Sequence, residues 1–393
     1  MKKYIILLFA SVTWSLTGAA QTNVDNVISQ IARNNKSILA TQQYWDAQDL
    51  QYKTGLTPNN PKVEYDYLPG RPDGAGTQEE FNITQAFDFP TAYGKKNKVS
   101  EQQVTQSTFQ MMVVRQDILL EAKQVCLELI YLNKINQELT NRLAQVEKVR
   151  NSFQEKLAKG EGNILDVNKA NLQLITLKSE LESSKSSMKQ WNHKLTELNG
   201  GIEIAFNEAA YSGLPVIPEL NELDSIIEAN NPIAKVLQQE KVIAQQKIEL
   251  SKSMALPKIE AGYHAQSILG QRYQGAHIGL SIPLWENKNR VKFQQATFSH
   301  SDLKLQEHKT EHSFYIKQLY EKYQNLKSTV EEYNQVLLKA NNSELLNKAL
   351  QAGQISSIEY FMELSYFYAA YDKLLIKDKE LQKTVAELYK FQL

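Results

Sequence analysis

The sequence is short of the residues that punctuate compact folds. It holds 16 glycines and 10 prolines among 393 residues, which is low for an all-β chain and ordinary for one built of long helices. A single cysteine, Cys126, excludes an internal disulfide, and its neighbours Val125, Leu127 and Ile130 mark it as a packed helical residue. No charge of either sign is in excess. The 44 basic and 44 acidic residues balance, so nothing calls for nucleic acid or another polyanion as partner. Long apolar runs are missing too. Beyond residues 1–20, no stretch approaches the roughly 20 apolar residues of a spanning helix. If such a chain crosses a membrane, it does so as a closed β-barrel, because an open sheet leaves backbone groups unsatisfied in lipid. Neither a Gly-rich phosphate loop nor a Ser or Cys nucleophile motif occurs.

Residues 1–20 read as a signal peptide: Lys2 and Lys3, an apolar core from Tyr4 to Leu16, then the small residues Gly18-Ala19-Ala20 before Gln21. A membrane-anchoring helix is the alternative, but the core is short for one. Gln21 stands where an N-terminal lipid attachment requires Cys.

What organises the rest is a repeat. In FNITQAFDFPTAYGKKNKV (Phe81 to Val99), Phe81, Ile83, Phe87 and Phe89 alternate with Asn82, Thr84, Ala86 and Asp88. That is the period of a half-exposed strand. Pro90 and Gly94 are expected to break the strand, and Lys96 to Val99 to open a long helix. About 195 residues later Ile278, Leu280, Ile282 and Leu284 alternate with His277, Gly279, Ser281 and Pro283, followed by Lys288-Asn289-Arg290-Val291. Pro61-Lys62-Val63-Glu64 and Pro257-Lys258-Ile259-Glu260 precede the two units, and Asn34-Asn35 and Asn230-Asn231 match as well.

The chain therefore divides into a first repeat over 21–200, a linker over 201–218, and a second repeat over 219–393. Each repeat is expected to hold a polar helix (24–54 in the first), a β-hairpin (61–90 and 257–285) and a long helix (95–159 and 287–352). A glycine tip (near 160 and 353) and a returning helix complete each one. The hairpins carry Tyr and Phe on one face, with charge and amides on the other; a soluble hairpin has such faces, and the aromatic one also fits a lipid-facing barrel wall with interfacial girdles. The first long helix has a narrow apolar stripe of Leu119, Leu120, Val125, Leu127, Ile130, Ile135, Leu139, Leu143 and Val146, the pattern of a coiled coil. Asn163 is placed to cap the first returning helix.

Candidate chemistry is sparse. His308-Lys309-Thr310-Glu311-His312 matches the H-x-x-E-H zinc pattern literally. No third ligand sits at a recognisable spacing, however, and the host helix is too long for a compact catalytic cleft, so the match is expected to be two solvated histidines of a polar coiled coil. His264 and His277 fall on the inward strand faces, as lumen or loop residues. No cofactor is called for.

The doubled order, the matched turns LAKGEGNILDVNKA (Leu157 to Ala170) and LQAGQISSIEYFME (Leu350 to Glu363), and the passages FDFPTAYGKKNKV and IPLWENKNRV together resemble the TolC-like outer-membrane efflux proteins. The likeness covers essentially the whole mature sequence. It implies an α+β membrane protein, internally duplicated, in which long antiparallel coiled-coil helices form a periplasmic α-barrel. Each of three chains would give four strands to a twelve-stranded transmembrane β-barrel set in outer-membrane lipid. The implied role is a passive exit duct, with a periplasmic adaptor and an inner-membrane pump as partners and no enzymatic activity.

By the same resemblance, Leu157, Gly160, Leu350 and Gly353 belong to the adaptor-docking tips, whose simpler reading is as structural turns. Asp166 and Glu359 are candidate pore-constriction acids, able to favour cations as rings of three or to cap helices. Met362 occupies the place where the family pattern can carry a second acid, with Glu363 one place on. Glu64, Asp66 and Glu260 are candidate barrel-lumen residues. Short chains with an FDFPTAYGKK-like passage are most similar to ducts of heavy-metal cation efflux, and drug or general export stays open. A soluble periplasmic coiled-coil adaptor or scaffold is the alternative from another class.

Overall fold

The computed structural model describes residues 23–340 and 343–393, so the signal peptide expected over residues 1–20 lies outside it. Helices α1 (Asn23–Asn34) and α2 (Lys36–Tyr52) lead to strands β1 (Lys62–Pro69) and β2 (Thr77–Phe87). Helices α3 (Pro90–Ala158) and α4 (Ile164–Leu198) follow. After an irregular linker the order recurs as α5 (Leu220–Asn230), α6 (Pro232–Met254), β3 (Lys258–Ile268), β4 (Gln271–Ser281), α7 (Arg290–Ala340), α8 (Ser343–Gln351) and α9 (Ser357–Leu388). No described helix is long and apolar enough to cross a membrane.

The two hairpins join into one antiparallel sheet of order β1-β2-β3-β4. The central pairing, β2 with β3, aligns Phe81 with Ala265 and Asn82 with His264. Residues opposite one another share a face, so the register carries one largely polar and one largely apolar face across the four strands, mixed toward the hairpin turns, where Glu79 and Arg272 join the apolar face and Leu68 and Ile268 the polar one. Among the described residues, β1 and β4 have no strand on their outer edges.

At 69 residues, α3 extends about 100 Å at 1.5 Å per residue. It packs antiparallel to α6 near the sheet, where Gln239 donates to the Gln102 carbonyl at 3.0 Å. Farther down it packs against α4 and α9. The α9 contact is stitched by ion pairs: Lys379 to Glu128 at 2.8 Å, Lys134 to Asp378 at 3.2 Å, and the buried Arg142 to Asp372 at 2.7 Å. The expected stripe is the buried face of α3, with Leu120 and Leu143 only partly covered. Between Leu119 and Leu132, however, burial runs nearly all the way round the helix. There α1, α4, Phe206 of the linker and Ala386 of α9 surround it, and Cys126 sits fully buried in that cluster.

Several boundaries differ from the sequence expectations. The first long helix starts at Pro90, because proline at the first helical position needs no N–H partner and has its φ already helical; Gly94 lies inside the helix. The second starts at Arg290, with Trp285 to Asn289 forming the turn into it, and β4 ends at Ser281. The expected single helix over 24–54 is two helices broken at Asn35. The Asn35 side chain accepts from the N–H groups of Ser37 and Ile38 at 2.9 and 3.0 Å and donates to the Leu198 carbonyl at 2.7 Å. Asn231 does the same capping for α6, accepting from Ile233 at 2.9 Å. The repeated asparagine pair is thus a repeated helix break.

Asn35→Ala removes a cap and leaves a buried carbonyl without a donor, so it is expected to destabilise the protein by about 1–2 kcal/mol. Asn35→Ser, which keeps the cap oxygen, should lose less. A lower melting temperature by circular dichroism, ranked Ala below Ser below the parent, checks this.

Candidate functional site

The polar face of the sheet gathers side chains from all four strands. By register, Glu64, Asn82 and His264 share one row, and Asp66, Glu80 and Gln266 share the next. The His264 ring hydrogen-bonds the Asn82 amide. Glu80 accepts from Gln78 at 2.5 Å and from Gln266 at 3.0 Å. His277 Nε2 lies 3.4 Å from Glu260, and Lys62 pairs with Glu64. The opposite face presents Val63, Tyr65, Ile83, Tyr263, Ile278 and Leu280, with Tyr65 61% and Ile278 79% exposed. Large apolar side chains this open on one protomer mark a surface that something else covers. The structure therefore puts Glu64, Asp66 and Glu260 on one face. It adds Glu80 and Asn82, which the inward half of the β2 alternation already contained.

The two helical tips are built alike. At the first, Glu161 N–H donates to the Lys156 carbonyl at 2.9 Å and Gly160 N–H to Leu157 at 3.0 Å. At the second, Gln354 donates to Ala349 at 2.9 Å and Gly353 to Leu350 at 3.2 Å. These are Schellman closures, with Gly160 and Gly353 at φ of 74° and 71°, where a Cβ would be strained. Asn163 caps α4 by accepting from Leu165 N–H at 3.0 Å. Ser356 and Glu359 form a reciprocal capping box on α9, with Ser356 N–H donating to Glu359 at 2.8 Å and Glu359 N–H to the Ser356 hydroxyl at 3.2 Å.

The tips also touch one another. The Ser357 hydroxyl donates to Asp166, which has Lys169 at 3.7 Å. Below this contact Val149, Phe153, Val167, Ala170, Tyr360 and Leu364 form one core, with Leu157 and Leu350 packed against it. Each fully buried large side chain contributes about 1.5–3 kcal/mol. Tyr360, fully buried, donates its hydroxyl to Asn347 at 2.7 Å.

Leu157 and Leu350 are thus half committed to the shared core. The apolar side chains left open at the tips are Leu165 and Ile358, 58% and 59% exposed, with Ile164 next to Leu165 in the chain. They follow the glycines by several positions in helical first turns, where an exposed leucine looks like any other helix former. Asp166 and Glu359 both hold hydrogen bonds at helix starts. Ser356 N–H, and then its hydroxyl, hold the Glu359 carboxyl below the usual carboxylate range.

His308 and His312 share a face of α7, with ring centroids 5.4 Å apart. They are not the solvated pair expected of a coiled coil. Both are half-buried, because α7 packs here on the α5–α6 break: Asn231 Nδ2 lies 3.3 Å from His308 Nε2. Burial, reinforced by His308, holds His312 below the ordinary imidazole range. Among the described residues no group of three or more His, Cys, Asp or Glu could hold a metal ion.

No family model and no curated relative matches the sequence. Solved structures do. A crystal structure of CusC aligns with a TM-score of 0.74 at 14% identity, over 94% of this chain and 91% of that one. The outer membrane protein VceC of Vibrio cholerae aligns with 0.74 at 12% identity, over 94% and 95%. The CmeC outer membrane channel of Campylobacter jejuni aligns with 0.70 at 12% identity, over 94% and 85%. The chain has the TolC-like outer-membrane channel fold. In this chain the sheet and the tips stand at opposite ends of α3, and the four strands form one open antiparallel sheet.

The capping box gives a prediction at the tip. Ser356→Ala should cost about 1 kcal/mol, read as a roughly fivefold loss of hydrogen-exchange protection in the first turn of α9. Glu359 has a depressed folded pKa, so its stabilisation is present above the unfolded carboxylate value and is lost as pH falls through the folded one. Protection of that turn should therefore drop on acidification below about pH 4, and Glu359→Gln should flatten the drop.

Proposed function

We propose that the protein is a passive exit duct in the outer membrane, part of a tripartite efflux or export system. In this reading three copies close twelve strands into a barrel embedded in outer-membrane lipid, and their helices extend a tunnel into the periplasm. The tips meet a periplasmic adaptor, and an inner-membrane pump supplies energy and chooses the cargo. The observation that carries the reading is the four-stranded sheet, with one apolar face, one polar face and two free edges. A lone protomer cannot close such a sheet. Strands β2, β3 and β4 have 11 residues each, matching the roughly 9–11 that cross a bilayer when tilted. The fold likeness over 94% of the chain agrees with it.

Within this reading Glu64, Asp66 and Glu260 line the barrel lumen. Asp166 and Glu359 ring the periplasmic constriction while also fixing the helix starts. Gly160 and Gly353 hold the reversals, and Leu157 and Leu350 brace them for adaptor docking. Tunnel-lining acids favour cations, in keeping with cation cargo.

Purified protein added to a planar lipid bilayer should produce discrete, long-lived conductance steps. A preparation that is folded by circular dichroism yet conducts nothing, and stays a soluble monomer, would contradict the duct and favour a periplasmic scaffold.

A further inference from the structure

The apolar face of the sheet runs on past the end of β4, and what it runs into goes beyond the duct reading, on which this inference rests. Ile278 and Leu280 are followed at the same spacing by Ile282 and Leu284 in the turn to α7, 64% and 75% exposed. Trp285 beside them is 78% exposed, and Phe293 in the first turns of α7 is 65% exposed.

The matching turn of the first repeat is closed on itself. Tyr93 stands three residues before Lys96 as Trp285 stands three before Lys288, but Tyr93 is half-buried. Its hydroxyl accepts from the Asp88 N–H at 2.9 Å, while Lys96 lies over its ring and reaches Asp88 at 2.8 Å. Lys95 finds Glu249 at 3.9 Å, which leaves only Lys98 of that turn without a carboxylate. In the second turn Leu280 takes the place of Asp88, eight residues before the lysine. The one acid there, Glu286, is held by Lys258 at 3.6 Å. Arg290 donates to the Asn287 side chain at 3.1 Å. Among the described residues Lys288, Arg290 and Lys292 are all exposed, and none of them pairs with a carboxylate. Each copy thus carries an open aromatic and apolar ledge with three uncompensated cations just beyond it.

A second copy does not complement that charge. Closing the sheets sets β4 of one copy beside β1 of the next, and the segment leading into β1, residues 53–63, brings Lys53 and Lys62 and no acid. An apolar ladder, then a tryptophan, then unpaired cations is the order that suits the boundary between hydrocarbon and negatively charged headgroups. Lysine and arginine stems lie along the apolar side of such a boundary while their charges reach the headgroups. We propose that the β4–α7 turn binds anionic phospholipid in the periplasmic leaflet of the outer membrane. Trp285 sits at the hydrocarbon boundary, and Lys288, Arg290 and Lys292 hold the phosphates. Three such turns around the barrel fix the depth at which it stands in the membrane.

The test is fluorescence quenching in vesicles of phosphatidylcholine containing phosphatidylglycerol, with bromine on the acyl chains of one lipid or of an equal share of the other. Bromine quenches a tryptophan that it touches, and subtracting the signal of Trp285→Phe isolates Trp285. Each cation near an anionic surface is worth roughly fivefold in partitioning, so brominated phosphatidylglycerol should quench Trp285 at least about twofold more than brominated phosphatidylcholine. That excess should fall by more than about half between ~50 and ~500 mM salt. It should vanish in the triple variant Lys288→Ser, Arg290→Ser, Lys292→Ser, which should still run as an unboiled trimer and conduct like the parent. Equal quenching by the two lipids in the parent, or an excess that survives in the triple variant, would overturn the assignment. So would a Trp285 that neither lipid quenches together with a triple variant that runs as a monomer, because the ledge would then be an interface between copies. A parent that conducts in no lipid would overturn the duct reading, and this inference with it.

Discussion

The backbone groups along the free edges of β1 and β4 constrain everything else in this molecule. In an edge strand every second residue turns its N–H and C=O outward. For strands of 8 and 11 residues that leaves more than a dozen groups without strand partners. In lipid each such group costs several kcal/mol, against a total folding stability of about 5–15 kcal/mol. A single copy therefore cannot sit in a bilayer. In the proposed duct, closure through other copies would satisfy both edges at once and decide which face is wet. The apolar face, with Tyr65, Ile278 and Leu280 open, would meet lipid, and the face with Glu64, Glu80, His264 and Glu260 would meet the lumen.

From that constraint the helices take their form. A wall strand that continues directly into α3 at Pro90 fixes where the helix starts, and the Schellman turns at Gly160 and Gly353 fix where each repeat reverses. Between them the bundle is held less by a deep core than by narrow stripes and cross-helix ion pairs such as Arg142 with Asp372. The exception is the collar around Leu119 to Leu132, where α1, α4, the linker and α9 cover α3 nearly all the way round. The asparagine breaks at Asn35 and Asn231 lie at corresponding places in the two repeats, so the duplication extends to hydrogen bonds.

Much of this was legible because its signals are local. The period-two alternation from Phe81 and from Ile278 marks strands, a helix of some 65 residues without interior breaks has to be a coiled coil, and Gly160 followed by Asn163 marks a reversal with a cap. What was not legible is non-local or ambiguous in chemistry. The pairing of β2 with β3 joins residues about 180 positions apart, and neither strand carries a mark of its partner. Pro90 serves equally as a strand stop and a helix start, and only the chain direction after it separates the two. Asn35 costs little inside a helix, so its capping role shows only once Leu198 is seen above it. The packing of His308 against Asn231 depends on α5 and α6, which no spacing within α7 reveals.

The central claim is that the sheet is one third of a closed barrel. Separation of cell membranes followed by gel electrophoresis without and with boiling tests it directly. The account predicts a species in the outer-membrane fraction that migrates as a compact trimer unboiled and, after boiling, as a single chain somewhat lighter than the 44.9 kDa of the full sequence, its signal peptide removed. A protein recovered from the soluble periplasm, running as a monomer whether or not it is heated, would contradict it.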